Sequence, residues 1–179
     1  GSKPFIPPIK GSDLKGVLSF RDIYDVNTML EYCKNKKNAV VIGGGLLGLE
    51  AAYGLKQRGM NVTVLHLMDR IMDRQLDARA SALLKQSIEA KGIPVLTEAN
   101  TEELIGQDGH VSQLRLKDGT VLEADFVIFA VGIRPNMALA QSAGLRCNRG
   151  VMVNDTMQTF DPRIYAVGEC IEHRNQTFG

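Results

Sequence analysis

With 21 basic and 20 acidic side chains among 179 residues, the chain carries a net charge of +1, so no broad field draws it to nucleic acid or to an anionic membrane surface. That length encloses one good core, or one domain with pieces of another. Cys33, Cys147 and Cys170 are odd in number, far apart and form no Cys-x-x-Cys, which argues against a disulfide framework and for a reducing, cytoplasmic compartment.

Residues 3–11 hold three prolines in nine positions and read as an extended connector rather than a helix or a central strand. Residues 17–20 can form a short strand, and Asp22 is placed to N-cap a helix with Ile23, Val26, Met29, Leu30 and Cys33 on one face. Residues 34–37 are a solvated polar turn. The β-branched run 39–42 then reads as a buried parallel strand that breaks into glycines and restarts as a helix over 46–58, with Leu47, Ala51 and Leu55 inward and Gly59 as its stop. The uncharged run 39–49 is too short to span a membrane, and no stretch has the pattern of a signal peptide. Residues 61–65 form a second strand, so strand, glycine turn, helix and strand follow within roughly 30 residues, as a right-handed βαβ unit requires.

Gly43, Gly45 and Gly48 occupy the three fixed places of a Gly-x-Gly-x-x-Gly dinucleotide turn. Gly43 permits the tight turn, Gly45 admits a pyrophosphate where a side chain would collide, and Gly48 lets the helix pack closely on the strand. The helix N-terminus at Leu46 and Leu47 turns its free N–H groups and positive dipole end toward the phosphates.

After residues 66–75, a helix with Leu76, Ala80, Leu83, Leu84 and Ile88 inward ends at Lys91 and Gly92, and 93–96 is a third parallel strand. The period then changes to two. Residues 101–105, 111–116 and 121–123, separated by turns at Asp108-Gly109 and Asp118-Gly119, make an antiparallel β-meander. Residues 125–131 read as a fully buried strand opening into the loop Gly132-Ile-Arg-Pro-Asn136. Residues 150–153 read as a strand, and 164–167 as another buried strand ending in Gly168-Glu169-Cys170. Nothing after it closes off a second domain, so this tail is expected to belong with residues outside the chain.

The glycine turn 43–50, the meander, Ala130-Val-Gly-Ile-Arg-Pro-Asn136 and Thr159-x-Asp-Pro-x-Ile-Tyr-Ala-Val-Gly-Glu-Cys170, in that order, resemble the middle of the pyridine nucleotide-disulfide oxidoreductase superfamily. Within it, Met72-Asp-Arg-Gln-Leu-Asp77 and Ala166-Val-Gly-Glu-Cys-Ile-Glu-His173 are similar to the large subunits of NAD(P)H-dependent nitrite reductases. Rubredoxin or ferredoxin reductases and NADH oxidases are alternatives within the superfamily, and a non-catalytic dinucleotide-binding module is an alternative of another class. The resemblance implies an α/β fold: a Rossmann-like NAD(P)-binding domain with a parallel sheet and a three-stranded antiparallel meander, flanked by partial FAD-domain segments. The expected division is connector and partial FAD segment at 1–35, NAD(P)H domain at 36–149 and a second partial FAD segment at 150–179.

Several site residues follow from the resemblance alone. Glu50 would lie near the nicotinamide carboxamide, Gly132 near the nicotinamide or its ribose with Val131 beside it in the cofactor site, and Gly168 with Glu169 at the flavin ribityl chain, where the family more often has aspartate. His66 stands where the family usually has an acid on the adenosine ribose, and with Arg70 it leaves the choice between NADH and NADPH open. The implied reaction passes a hydride from NAD(P)H to FAD, with no side chain acting as catalyst and no metal. An upstream FAD glycine motif is not within this stretch, so the expected partners are the remainder of the FAD domain and downstream redox domains. Gly1-Ser2 fits both the end of an Ala-Thr-Gly-Ser strand and a cloning scar.

Overall fold

The computed structural model describes residues 1–177. In chain order the elements are β1 (Ser2–Pro4), β2 (Val17–Ser19), α1 (Ile23–Asn35), β3 (Asn38–Ile42), α2 (Leu46–Gln57), β4 (Asn61–Leu65), α3 (Ala78–Glu89) and β5 (Val95–Leu96). They continue with β6 (Thr101–Gln107), β7 (His110–Leu116), β8 (Val121–Glu123), β9 (Phe126–Phe129), β10 (Ile133–Pro135), α4 (Ala138–Ser142), β11 (Val151–Val153), β12 (Ile171–His173) and β13 (Gln176–Thr177). The chain divides into two compact units, Ile6–Val131 and a second made of Gly1–Phe5 with Gly132–Gly179. Residues 178 and 179, at the end of the expected flanking segment, lie outside the described residues.

In the larger unit, a five-stranded sheet runs in the order β2-β9-β3-β4-β5, with every pairing parallel. Its strands alternate strictly between two cores. Ala39 and Val41 of β3, with Phe126 and Ile128 of β9, pack toward Met29 of α1, Ala51 and Leu55 of α2 and Leu84 of α3. Val40 and Ile42, with Val127 and Phe129, pack toward Leu104, Val111, Leu114 and Leu116 of the antiparallel meander β6-β7-β8. The period of two therefore builds three layers: helices, parallel sheet and meander. Asp125 accepts the N–H groups of Lys37 and Asn38 at 3.0 and 2.8 Å, which fixes the start of β3 beside β9.

The stripes differ from their expected positions in instructive ways. The buried face of α2 is Gly48, Ala51, Ala52 and Leu55, the i, i+3, i+4, i+7 set, and Leu47 lies one position off it and is exposed. In α3 the place expected for Leu83 goes to buried Ser81, whose hydroxyl donates to the Ile71 carbonyl at 2.7 Å, while Leu83 faces solvent. Ile23, at the first position of α1, is also exposed; the core contacts come from Met29, Tyr32 and Cys33. Residues 6–35, expected with the connector and flanking segment, share the unit of the glycine turn, because β2 pairs with β9 and the segment at Lys10 and Lys15 bridges to Glu103 and His110 of the meander.

In the smaller unit β1 pairs antiparallel with β10, where a connector and a loop were expected, and β11-β12-β13 form a second small sheet. Glu172 of β12 is 3% exposed and holds the turn before β11, accepting from Asn148 Nδ2, Arg149 N and Gly150 N at 3.0, 2.7 and 3.2 Å. The buried strand expected at 164–167 is not formed. The stretch makes a single bridge, Gln158 to Tyr165, and Tyr165 and Val167 are 60% and 68% exposed, because no strand among the described residues pairs along it.

Candidate functional site

Strands β3 and β9 are parallel neighbours at the place where the sheet order turns back, β4 and β5 lying on one side and β2 on the other. In an open parallel sheet a crevice forms outside the carboxyl ends of such a pair. Here the two ends meet closely. Gly43 has φ +124°, and a side chain on it would run into the carbonyl of Ala130, at the end of β9. A side chain at Gly48 would drive into the Gly43 carbonyl oxygen, so α2 starts hard against β3 only because that position is bare.

Gly45 is bare for neither reason. Its φ of −85° suits any residue, and a Cβ built there meets nothing within 4 Å. It is the N-cap of α2, makes no side-chain cap bond, and is followed by no acidic residue in the first turn. The two other long helices are closed: Asp22 and Asp25 form a capping box on α1, and Asp77 accepts from Ala80 N at 2.8 Å on α3. The first-turn N–H groups of α2, at Leu46, Leu47 and Gly48, thus lie at the positive end of the helix dipole with no carboxylate of the helix itself over them. The side chains of Leu46 and Leu47 and the carboxylate of Glu50 are exposed around this open end.

His66 follows directly on β4 and faces inward, its side chain 12% exposed. Nδ1 accepts the N–H of Gly44 at 3.0 Å, and Nε2 lies 3.1 Å from Asp73 Oδ1. Because a backbone N–H can only donate, the ring proton belongs on Nε2, where it donates to Asp73. Both ring nitrogens are thereby engaged within the chain. Arg70 is partly exposed and pairs with Asp69 at 3.3 Å. Asp73 and Gly44 carried no assigned role in the sequence, and nothing in their spacing pointed to one.

Val131 follows the end of β9 and is 37% exposed. The remaining expected site residues belong to the smaller unit. Gly132 has φ +110° with open space on its Cβ side and accepts Phe5 N–H at 3.0 Å. Gly168 has φ +88°, again with open space, and Glu169 beside it accepts the Ser2 hydroxyl at 2.7 Å. The three cysteines are unpaired, and burial pushes the thiols of Cys33 and Cys147 up, away from the reactive thiolate. Among the described residues no helix is long and apolar enough to cross a membrane.

Residues 1–178, including the glycine turn and the Gly168-Glu169 corner, match the family described as pyridine nucleotide-disulphide oxidoreductase. The chain belongs to that family. It is 57% identical over 179 residues to a nitrite reductase [NAD(P)H] of Bacillus subtilis, a match that takes in all of this chain and 22% of that protein. A ferredoxin reductase from Rhodopseudomonas palustris superposes with a TM-score of 0.92 at 29% identity, over 97% of this chain and 43% of its own. A water-forming NADH oxidase from Lactobacillus brevis, solved bound to NADH, superposes with a TM-score of 0.86 at 25% identity, over 96% of this chain and 38% of its own. This pyridine nucleotide-disulphide oxidoreductase chain thus spans about a fifth of its Bacillus relative's length.

Proposed function

We propose that the chain is the NAD(P)H-binding portion of an FAD-dependent oxidoreductase, and that the intact protein is a nitrite reductase large subunit passing hydride from NAD(P)H to FAD. The observation that carries the reading is Gly45: neither its backbone nor its neighbours demand glycine, yet the missing side chain leaves bare main chain before an uncapped helix. A dinucleotide diphosphate fits that feature, since it needs close approach to the backbone and unengaged N–H groups at a positive helix end.

In this reading the main chain at Gly43, Gly45, Leu46, Leu47 and Gly48 takes the diphosphate, and Glu50, Val131 and Gly132 face the nicotinamide half. Gly168 and Glu169 belong to the flavin side, where open space over Gly168 and a carboxylate oriented by Ser2 suit a polyhydroxyl chain. The two cofactors supply the hydride chemistry; the chain binds, orients and keeps water from the reacting atoms. Exposed Phe160, Tyr165 and Val167 are the surface this reading gives to the remainder of the flavin domain. Downstream redox domains would carry the electrons onward, and the unpaired cysteines suit a cytoplasmic setting.

The test is direct. Purified full-length protein is titrated with NADH and with NADPH, and NADH-dependent turnover is assayed against nitrite, oxygen and small iron-sulfur or rubredoxin-type acceptors. Binding with nitrite as the preferred acceptor supports the reading; preference for oxygen or a protein acceptor moves it to an oxidase or a reductase of the same family. Binding without bound flavin would point to a dinucleotide-sensing module instead.

A further inference from the structure

We propose that His66 is a positioning residue that, with Asp73, locks the Gly44 peptide and so fixes which N–H groups the glycine turn presents. The inference rests on the reading that this turn holds a dinucleotide diphosphate. In this proposal His66 acts on the turn rather than on the adenosine ribose.

Four observations converge on the Gly44 peptide. Its N–H donates to His66 Nδ1 at 3.0 Å, and its carbonyl accepts Met72 N–H at 2.9 Å. The preceding Gly43 N–H is tied to the Leu65 carbonyl at 2.8 Å. A side chain at Gly44 would press on Ile71 Cγ2 at 2.7 Å and His66 Cγ at 3.0 Å, so residues 66–73 saddle the turn from below. The saddle is itself anchored. Ile71 is fully buried, its carbonyl takes the Ser81 hydroxyl of α3, and Asp73 takes the outer nitrogen of His66.

The consequence lies in donor selection. With the Gly44 N–H turned onto the imidazole, the donors offered to an anion begin beyond it, at the open end of α2. Losing the acceptor at 66 would leave the buried Gly44 N–H unpaired, and the turn would rotate or admit water to satisfy it. A ligand held by its diphosphate then loses affinity whatever its ribose carries. Asp73 acts one bond further out: it holds the proton on Nε2 and leaves Nδ1 as the acceptor, as carboxylates do behind oriented histidines elsewhere.

The experiment is a ligand-by-mutant cycle on the full-length protein, measuring equilibrium affinity for NADH and for NADH lacking the adenosine 2′-hydroxyl. His66→Leu is expected to weaken both ligands about tenfold and equally. His66→Asn, whose Oδ1 can stand in for Nδ1, is expected to recover most of that loss. Asp73→Ala is expected to weaken both several-fold, and His66→Leu with Asp73→Ala to be no worse than His66→Leu alone. Adenosine, which carries no phosphate, should bind all variants alike. Should His66→Leu not fold, the Asn and Ala variants carry the same comparison. A penalty that disappears with the 2′-deoxy ligand would place His66 on the ribose, and additive losses for the pair would uncouple Asp73; either result overturns the proposal. Failure of the unaltered protein to bind NADH, or indifference of binding to Gly45→Val, would instead refute the diphosphate reading beneath it.

Discussion

Two glycines three residues apart separate binding from folding. A methyl group at Gly45 enters open space, so Gly45→Ala should cost under about 1 kcal/mol of stability, the scale of an N-cap change, while lowering NADH affinity at least about tenfold. Gly48→Ala should do the reverse, costing about 1–3 kcal/mol by overpacking α2 against the Gly43 carbonyl. Thermal melts and NADH titrations on the two variants check the contrast. A second residue-level prediction concerns acid. Arg174, with His173, holds the Asp155 carboxyl down at about 2 from an ordinary 3.8. Asn148, with the Arg149 and Gly150 N–H groups, likewise lowers Glu172. Carboxyls depressed on folding stabilise at neutral pH, and that stabilisation is lost as pH falls from about 4 toward 2. Melting temperature followed across that window should fall, and Asp155→Asn should flatten the fall slightly, since the pair is exposed and screened. Glu172→Gln should lower the neutral-pH melting temperature more, because its carboxylate is buried. At this scale the sequence was legible where a residue type has one physical use. Glycines 43 and 48 stand where closeness requires them. The fate of His66 was not legible, because whether an imidazole faces a ligand or its own chain depends on Gly44 and Asp73, which only the fold brings near.

Helices and strands divide along the same line. Asp22 announces α1 in the sequence, and its carboxylate indeed accepts from Tyr24 and Asp25 at 2.8 and 3.1 Å. Asp22→Ala should therefore cost about 1 kcal/mol in denaturant unfolding and leave NADH binding unchanged. The meander was readable from its period and its two Asp-Gly turns, and β6, β7 and β8 form in that order. The face of α2 was read to within one position: small residues at 48, 51 and 52 form its buried stripe, and counting large apolar residues shifts it to Leu47. Residues 164–167 are apolar and β-branched in part, which is the pattern of a buried strand, yet a strand needs a neighbour and the described residues supply one bridge. Short pairs such as β1 with β10 had no signature, since three residues carry no period.

The whole larger unit is organised around β3 and β9, whose residues face helices and meander alternately. Ile128, fully buried on the helix side of β9, is held from both flanks by β2 and β3, and Ile128→Ala should cost about 3 kcal/mol while unfolding this unit cooperatively. The parallel pairing of β3 with β4 was implied by the βαβ reading, and the three-layer arrangement matches the expected Rossmann-like fold with a meander. That β2 and α1 join this unit was hidden, because a three-residue strand reaches β9 across more than a hundred positions of chain. The central claim is that a nicotinamide dinucleotide lies with its diphosphate on the bare main chain between Gly45 and Gly48. A crystal structure of the full-length protein with NADH bound tests it most directly. The account predicts phosphate oxygens within about 3 Å of the Leu46 and Leu47 N–H groups, with His66 still on Gly44; a diphosphate bound elsewhere, with that turn closed over by side chains, would contradict it.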